Sequence, residues 1–239
     1  MPRNLEDFEL LNTSSQLRRA AQHVFEFYDG AIPLDECELV TIESYDLLAR
    51  TAHIRHHLVP LAERWSIDRL RRLGKLSRRL THSTLEVLFV DADDTIAAPI
   101  AAALLTSYAR GRLNVGSAAI SPGTAVGQGV VQAMADTAID ISEAFPKPLT
   151  ADAVQAADVV VQIGALPALA GLTGAPGDTG WAGALQVAED DLPVERRRLL
   201  RWDRPNPADG TAEAIAAARD ELDRRVLLLL ADLMVTPRR

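Results

Sequence analysis

The chain has 239 residues, 48% hydrophobic and 24% charged, with a formal net charge of -8. That apolar content builds a core for one medium domain or two small ones, and the acidic balance argues against generic nucleic-acid binding, which needs clustered cations. No apolar run approaches the roughly 20 residues of a membrane helix, and the acidic start "MPRNLEDFELLN" lacks the core of a secretion signal, so a cytoplasmic protein away from membranes is expected.

Residues 1–80 read as an N-terminal three-helix bundle. Ser14 or Ser15 caps a first helix that runs to about Tyr28 and stops at Asp29 and Gly30. A second begins near Leu34 with Leu39, Ile42, Leu47 and Leu48 as its apolar positions, and Pro60 separates it from a third over Leu61 to about Leu73, presenting Leu61, Trp65, Ile67 and Leu70. Cys37, the only cysteine, falls on the second helix. One thiol forms no intrachain disulfide, thiolate zinc cluster or dithiol relay, and a buried, inert side chain is expected there. His53 and His57, one helical turn apart, are read as packing groups rather than metal ligands. The run "RLRRLGKLSRRL" carries six bases and reads as a solvated helix face, with "GKLSRRLTHST" as the polar linker.

From Leu85 the pattern changes to apolar runs alternating with helices, the signature of a parallel sheet with crossover helices, so residues 85–239 are expected to form an α/β domain. Strands are expected at Leu85–Val90, Leu113–Ser117, Ala157–Ile163 and Ala184–Ala188. Helices are expected at about Ala98–Arg110, Gly127–Thr137, Thr150–Ala156 and Thr211–Met234, the last with Ile215, Leu222, Val226 and Leu229 on one stripe. "GLTGAPGDTGWAG" is a loop by composition.

The first strand runs into "DADDTIAAP", a polar loop before a helix, the place where α/β proteins put their chemistry. Around it, "VLFV" followed by "PIAAALL", then "EAFPKPLTADAVQAADVVVQIG", "RWDRPNPADG" and "ARDELDRRV" resemble, in order and spacing, the arsenate reductases built on the low-molecular-weight protein tyrosine phosphatase fold. "ESYDLLARTAHIRHHLVPLAERW" is similar to the N-terminal helical bundle of the actinobacterial form. The resemblance spans about Gln16 to Asp232, apart from a stretch around Leu169 to Leu200, and implies a four-stranded parallel sheet preceded by the bundle.

In that family the loop reads C-x5-R-[ST]: a thiolate in a ring of backbone N–H groups at a helix start, with an arginine clamping oxyanion oxygens. Here Asp91 stands at the cysteine position, Ala97 at the arginine and Ala98 at the following serine. Asn206 stands where the family has its general acid, and an amide donates no proton at neutral pH. Ala165 occupies a position where a relay cysteine would follow the glycine. The resemblance therefore implies a fold whose thiol chemistry is gone, with Asp91, Ala92, Asp93, Asp94, Thr95 and Ile96 as the remnant of the anion cradle. Two unit charges about 4 Å apart repel by roughly 4 kcal/mol at an effective dielectric near 20, so three carboxylates should turn a free dianion away. The N–H ring still favours negative charge, and a folded-back Asp93 or Asp94 carboxylate is expected in it.

Two other readings of the loop stay open. Asp91, Asp93 and Thr95 form a D-x-D-x-T that resembles the first motif of haloacid dehalogenase-type phosphatases, with Asp91 as nucleophile and magnesium as cofactor; Ser117, Lys147, Glu189, Asp190 and Asp191 would complete it. Asp91, Asp93 and Asp94 are also weak candidates for a hard cation such as magnesium or calcium, although acidic loops usually sit in water. Trp202 and Asp203 read as scaffold. The favoured expectation is a catalytically inactive protein with no cofactor and a binding or regulatory role, its partner an unknown protein or a second copy joined through the N-terminal helices.

Overall fold

The computed structural model describes residues 5–52, 57–80, 84–166, 198–205 and 210–235. The chain divides into two compact units, Met1–His82 and Ser83–Arg239.

The first unit holds three helices, α1 (Leu5–Phe27), α2 (Leu34–Ala49) and α3 (Leu58–Leu76). The start of α1 lies before the expected Ser14 or Ser15 cap. Instead of capping, the Ser15 hydroxyl donates back to the Asn12 carbonyl at 2.8 Å, a bond compatible with a helix interior. Asp29 and Gly30 do end the helix: both have positive φ, and the Gly30 N–H closes on the Phe25 carbonyl. Pro60 falls inside the first turn of α3, where its missing N–H costs nothing, so it does not delay the helix to Leu61.

The buried side of α2 differs from the apolar positions read in the sequence. Cys37, Val40, Thr41, Ser44 and Leu48 are buried, whereas Leu39 and Ile42 are 57% and 43% exposed. Small polar groups turn inward because α3 supplies partners. Thr41 donates to the Ser66 hydroxyl at 3.2 Å, and the buried Arg69 reaches the Ser44 hydroxyl at 3.2 Å and Glu43 at 3.3 Å while lying over the Trp65 ring. The basic run is thus not wholly a solvated face, since Arg69 and Arg72 are buried. Its polar continuation is only partly a linker. Helix α3 extends to Leu76, and Gly74 leaves room for Leu80, whose Cδ1 would lie 2.5 Å from an added Cβ.

The second unit runs β1 (Leu85–Asp91), α4 (Ala97–Ala109), β2 (Leu113–Ala119), α5 (Gln128–Ala135), α6 (Ala151–Ala156), β3 (Val159–Ile163), β4 (Arg198–Trp202) and α7 (Ala212–Val235). All pairings are parallel, in the order β2-β1-β3-β4. The expected strand at Ala184–Ala188 lies outside the described residues, as do Glu189, Asp190 and Asp191. The fourth strand of the sheet is "RLLRW", an edge strand whose arginines interrupt the apolar run that marks the inner strands.

Strand β1 is buried on both faces. Val87 and Phe89 join Val161 and Ile163 of β3 in a core with α4, α5 and α7, including Leu222 and Val226 from the expected α7 stripe. Leu88 and Val90 face the other way, against Ala153, Val154 and Leu149. Phe89 also meets Trp202 at the end of β4, the ring centroids 5.7 Å apart, a contact that reaches across β3. Among the described residues no helix is long and apolar enough to cross a membrane. Replacing Phe89 by Ala removes that contact and opens the centre of the core; urea unfolding should show a loss of about 3–5 kcal/mol with little change in the denaturant slope.

Candidate functional site

Strand β1 ends at Asp91 and α4 starts at Ala97, so five residues must turn the chain and dispose of the N–H groups that open a helix. The strand lies between β2 and β3, where the connections leave in opposite directions, the usual position of a binding crevice in such a sheet.

The turn closes on its own first residue. Asp91 is fully buried, and its Oδ1 accepts the N–H of Asp94 at 2.6 Å and of Asp93 at 3.2 Å, while Oδ2 accepts the N–H of Ala98 at 3.0 Å. A carboxylate thus sits where the backbone donors converge. The expectation of an internal anion holds in kind, but the group is Asp91 and not Asp93 or Asp94. Burial raises the Asp91 pKa above the ordinary carboxylate value, against the pull of the Asp94 and Ala98 N–H groups.

Asp93 and Asp94 point elsewhere. Asp93 Oδ1 accepts the N–H and the hydroxyl of Thr95 at 3.1 and 2.7 Å, and Oδ2 pairs with Arg204 at 3.2 Å. Burial works against its charge, but the Thr95 and Arg204 donors outweigh it and hold the pKa below the usual value. Asp94 adopts a left-handed φ of 52° and is fully buried. Its Oδ2 accepts the Lys147 N–H at 2.9 Å and faces the Lys147 ammonium at 3.4 Å. Burial pushes its carboxyl up to about 6, with Lys147 opposing and Asp91 reinforcing the rise.

The loop's carbonyls complete the closure: those of Asp91, Ala92 and Asp93 accept the N–H groups of Ile120, Ser121 and Gly123 on the exit from β2. Gly123 lies so close that an added Cβ would stand 2.4 Å from the Thr95 Cγ2 methyl.

Ala97 and Ala98 are buried in the core of the unit and bring no polar side chain to the loop. Ile96 precedes the first turn of α4, and its carbonyl accepts the Ile100 N–H. Ala165 lies in the segment after β3, and Trp202 packs on Phe89 as scaffold. The Asp203 carbonyl accepts a hydrogen bond from Arg225. Asn206 and His53 lie outside the described residues; His57 precedes the first turn of α3. Cys37 is buried in the helical unit, its thiol pushed up to about 11 by burial with Glu36 and Asp35 adding to the rise. Among the described residues no three metal-capable side chains form a group that could hold an ion. Two cations at the loop went unread in the sequence as loop partners, Lys147 on Asp94 and Arg204 on Asp93; their one signal was a basic residue beside proline in "FPKPLT" and "WDRP".

A family model described as the protein-tyrosine-phosphatase-like N-terminal domain matches residues 17–74. The thioredoxin-dependent arsenate reductase of Corynebacterium glutamicum is 28% identical, with a TM-score of 0.72, over 92% of this chain and 98% of that one. The fold is that of the low-molecular-weight phosphatases and arsenate reductases. Shorter structures are similar to part of this chain. A mutant of YwlE from Bacillus subtilis is 19% identical over 63% of this chain and 99% of its own, and Wzb from Vibrio vulnificus in complex with benzylphosphonate is 16% identical over 63% and 99%, both with a TM-score of 0.47.

The contact between Gly123 and Thr95 provides a steric test of the closed loop. Gly123→Ala should cost about 1–3 kcal/mol, because Thr95 cannot rotate without giving up its bond to Asp93. The double variant with Thr95→Ser, which deletes the methyl and keeps the hydroxyl, should recover most of that loss in the same denaturant titration.

Proposed function

We propose that this arsenate-reductase-like protein is catalytically silent toward arsenate and phosphate esters and has a binding or regulatory role in the cytoplasm, its partner a protein or a second copy of the chain. The observation that carries this reading is the Asp91 carboxylate. It occupies the backbone donors at the start of α4, and a buried carboxylate held by three N–H groups leaves no place there for a second anion. The alanines at 97 and 98 supply neither a guanidinium clamp nor a hydroxyl. The single cysteine, buried in the helical unit, offers no second thiol in the chain for a relay.

The same geometry weighs against Asp91 as the nucleophile of a magnesium-dependent phosphatase. Both of its oxygens face N–H donors, so they do not fit the open oxygen ligands that a hard cation takes. Parallel assays separate the readings. Purified protein given arsenate with thiol reductants, and an aryl phosphate with and without magnesium, should turn over neither. Metal-independent turnover of arsenate would overturn the proposal; magnesium-dependent hydrolysis lost in Asp91→Asn would establish the phosphatase in its place.

The binding role favoured here is self-association through the N-terminal helices. Phe27, Leu34, Leu39 and Ile42 are exposed on the first unit, and apolar side chains of this size favour cover over water. Sedimentation equilibrium should give a dimer that Leu39→Glu with Ile42→Glu converts to a folded monomer; an unchanged mass in that variant would move the interface elsewhere.

A further inference from the structure

Two buried carboxylates stand side by side in the loop with unequal compensation. Asp91 accepts three N–H groups, one of them from Asp94 itself. Asp94 has on Oδ2 the Lys147 N–H and, farther off, the Lys147 ammonium, while Oδ1 is buried with no hydrogen-bond partner. A charged carboxylate is acceptor-only, so an isolated buried oxygen forfeits its hydration without return. A proton on Asp94 removes that buried charge, and the Ser117 hydroxyl on β2, which favours the charged form, opposes its uptake without outweighing burial.

The two links from Asp94 to Lys147 respond differently to that proton. The backbone N–H bond to Oδ2 survives, because a neutral carboxyl still accepts there. The ammonium is held by charge, and its other contacts are the Phe145 carbonyl at 2.8 Å and the Phe145 ring, with Nζ 4.8 Å from the centroid. The remaining charged groups of the site, Asp93 and Arg204, pair with each other. We propose that Asp94 and Lys147 form a proton-operated clasp between the β1–α4 loop and the segment before α6: uptake of a proton by Asp94 keeps the lysine backbone in place and releases its ammonium from the carboxylate, leaving it on Phe145 alone.

The direction of the shift sets the window. Asp94 takes up its proton in the folded state near pH 6, well above the ordinary carboxylate value of 3.8. The folded chain therefore binds this proton before the unfolded chain does, and its contribution to stability is complete below the ordinary value and lost as pH rises through about 6. Above that the ammonium is held by Asp94 as well as by Phe145; below it only the Phe145 carbonyl and ring hold it.

Carboxyl-carbon NMR of Asp94, followed with the Lys147 Nζ and ε-methylene signals in the full-length chain from about pH 5 to 8, tests the coupling. The lysine signals should move with the Asp94 midpoint and lose that inflection in Asp94→Asn. Lys147→Met keeps the backbone N–H, so it should raise the Asp94 midpoint by about one unit, and it serves even if the asparagine variant fails to fold. Lysine signals that stay flat through the Asp94 titration, an inflection surviving in Asp94→Asn, or an unmoved midpoint in Lys147→Met would each overturn the clasp.

Discussion

The α/β unit depends at its functional end on one carboxylate answering three backbone donors. A strand that hands directly into a helix leaves N–H groups pointing at one spot, and something negative must stand there. Asp91 is that group, and it belongs to the chain. The turn thereby has three of its N–H groups answered within the chain. Its carbonyls are free to bind the exit from β2, and Asp94 is carried into a left-handed backbone with its side chain turned to Lys147.

Three acidic residues in four positions would be self-repelling if they shared one space. The fold separates them by partner. Asp91 takes backbone dipoles, Asp93 takes a hydroxyl and a guanidinium, and Asp94 takes an ammonium. The cations come from distant points, Lys147 from the segment before α6 and Arg204 from beyond β4. A guanidinium does reach the loop, then, although Ala97 stands where the family's arginine would be. It pairs with a side chain of the loop, the Asp93 carboxylate.

Much of this architecture was legible in the sequence. An unbroken "VLFV" announces a strand covered on both faces, and Ile215, Leu222, Val226 and Leu229 describe a helix stripe that is buried as drawn. Other features depended on information no local pattern holds. Leu39 and Ile42 look like core, yet Thr41 and Ser44 go inside because Ser66 and Arg69 wait for them on another helix. Strand β4 was hidden because an edge strand tolerates arginines between its apolar residues. The loop's position and its anionic character were readable; which aspartate fills the ring was not, since three identical side chains differ there only in where the backbone aims them.

Closure of the turn by its own residue also shapes what evolution can do with it. Exchanging Asp91 for cysteine would empty the ring of its carboxylate but leave Asp93 and Asp94 in place and Ala97 without a guanidinium, so no single codon change rebuilds an oxyanion pocket.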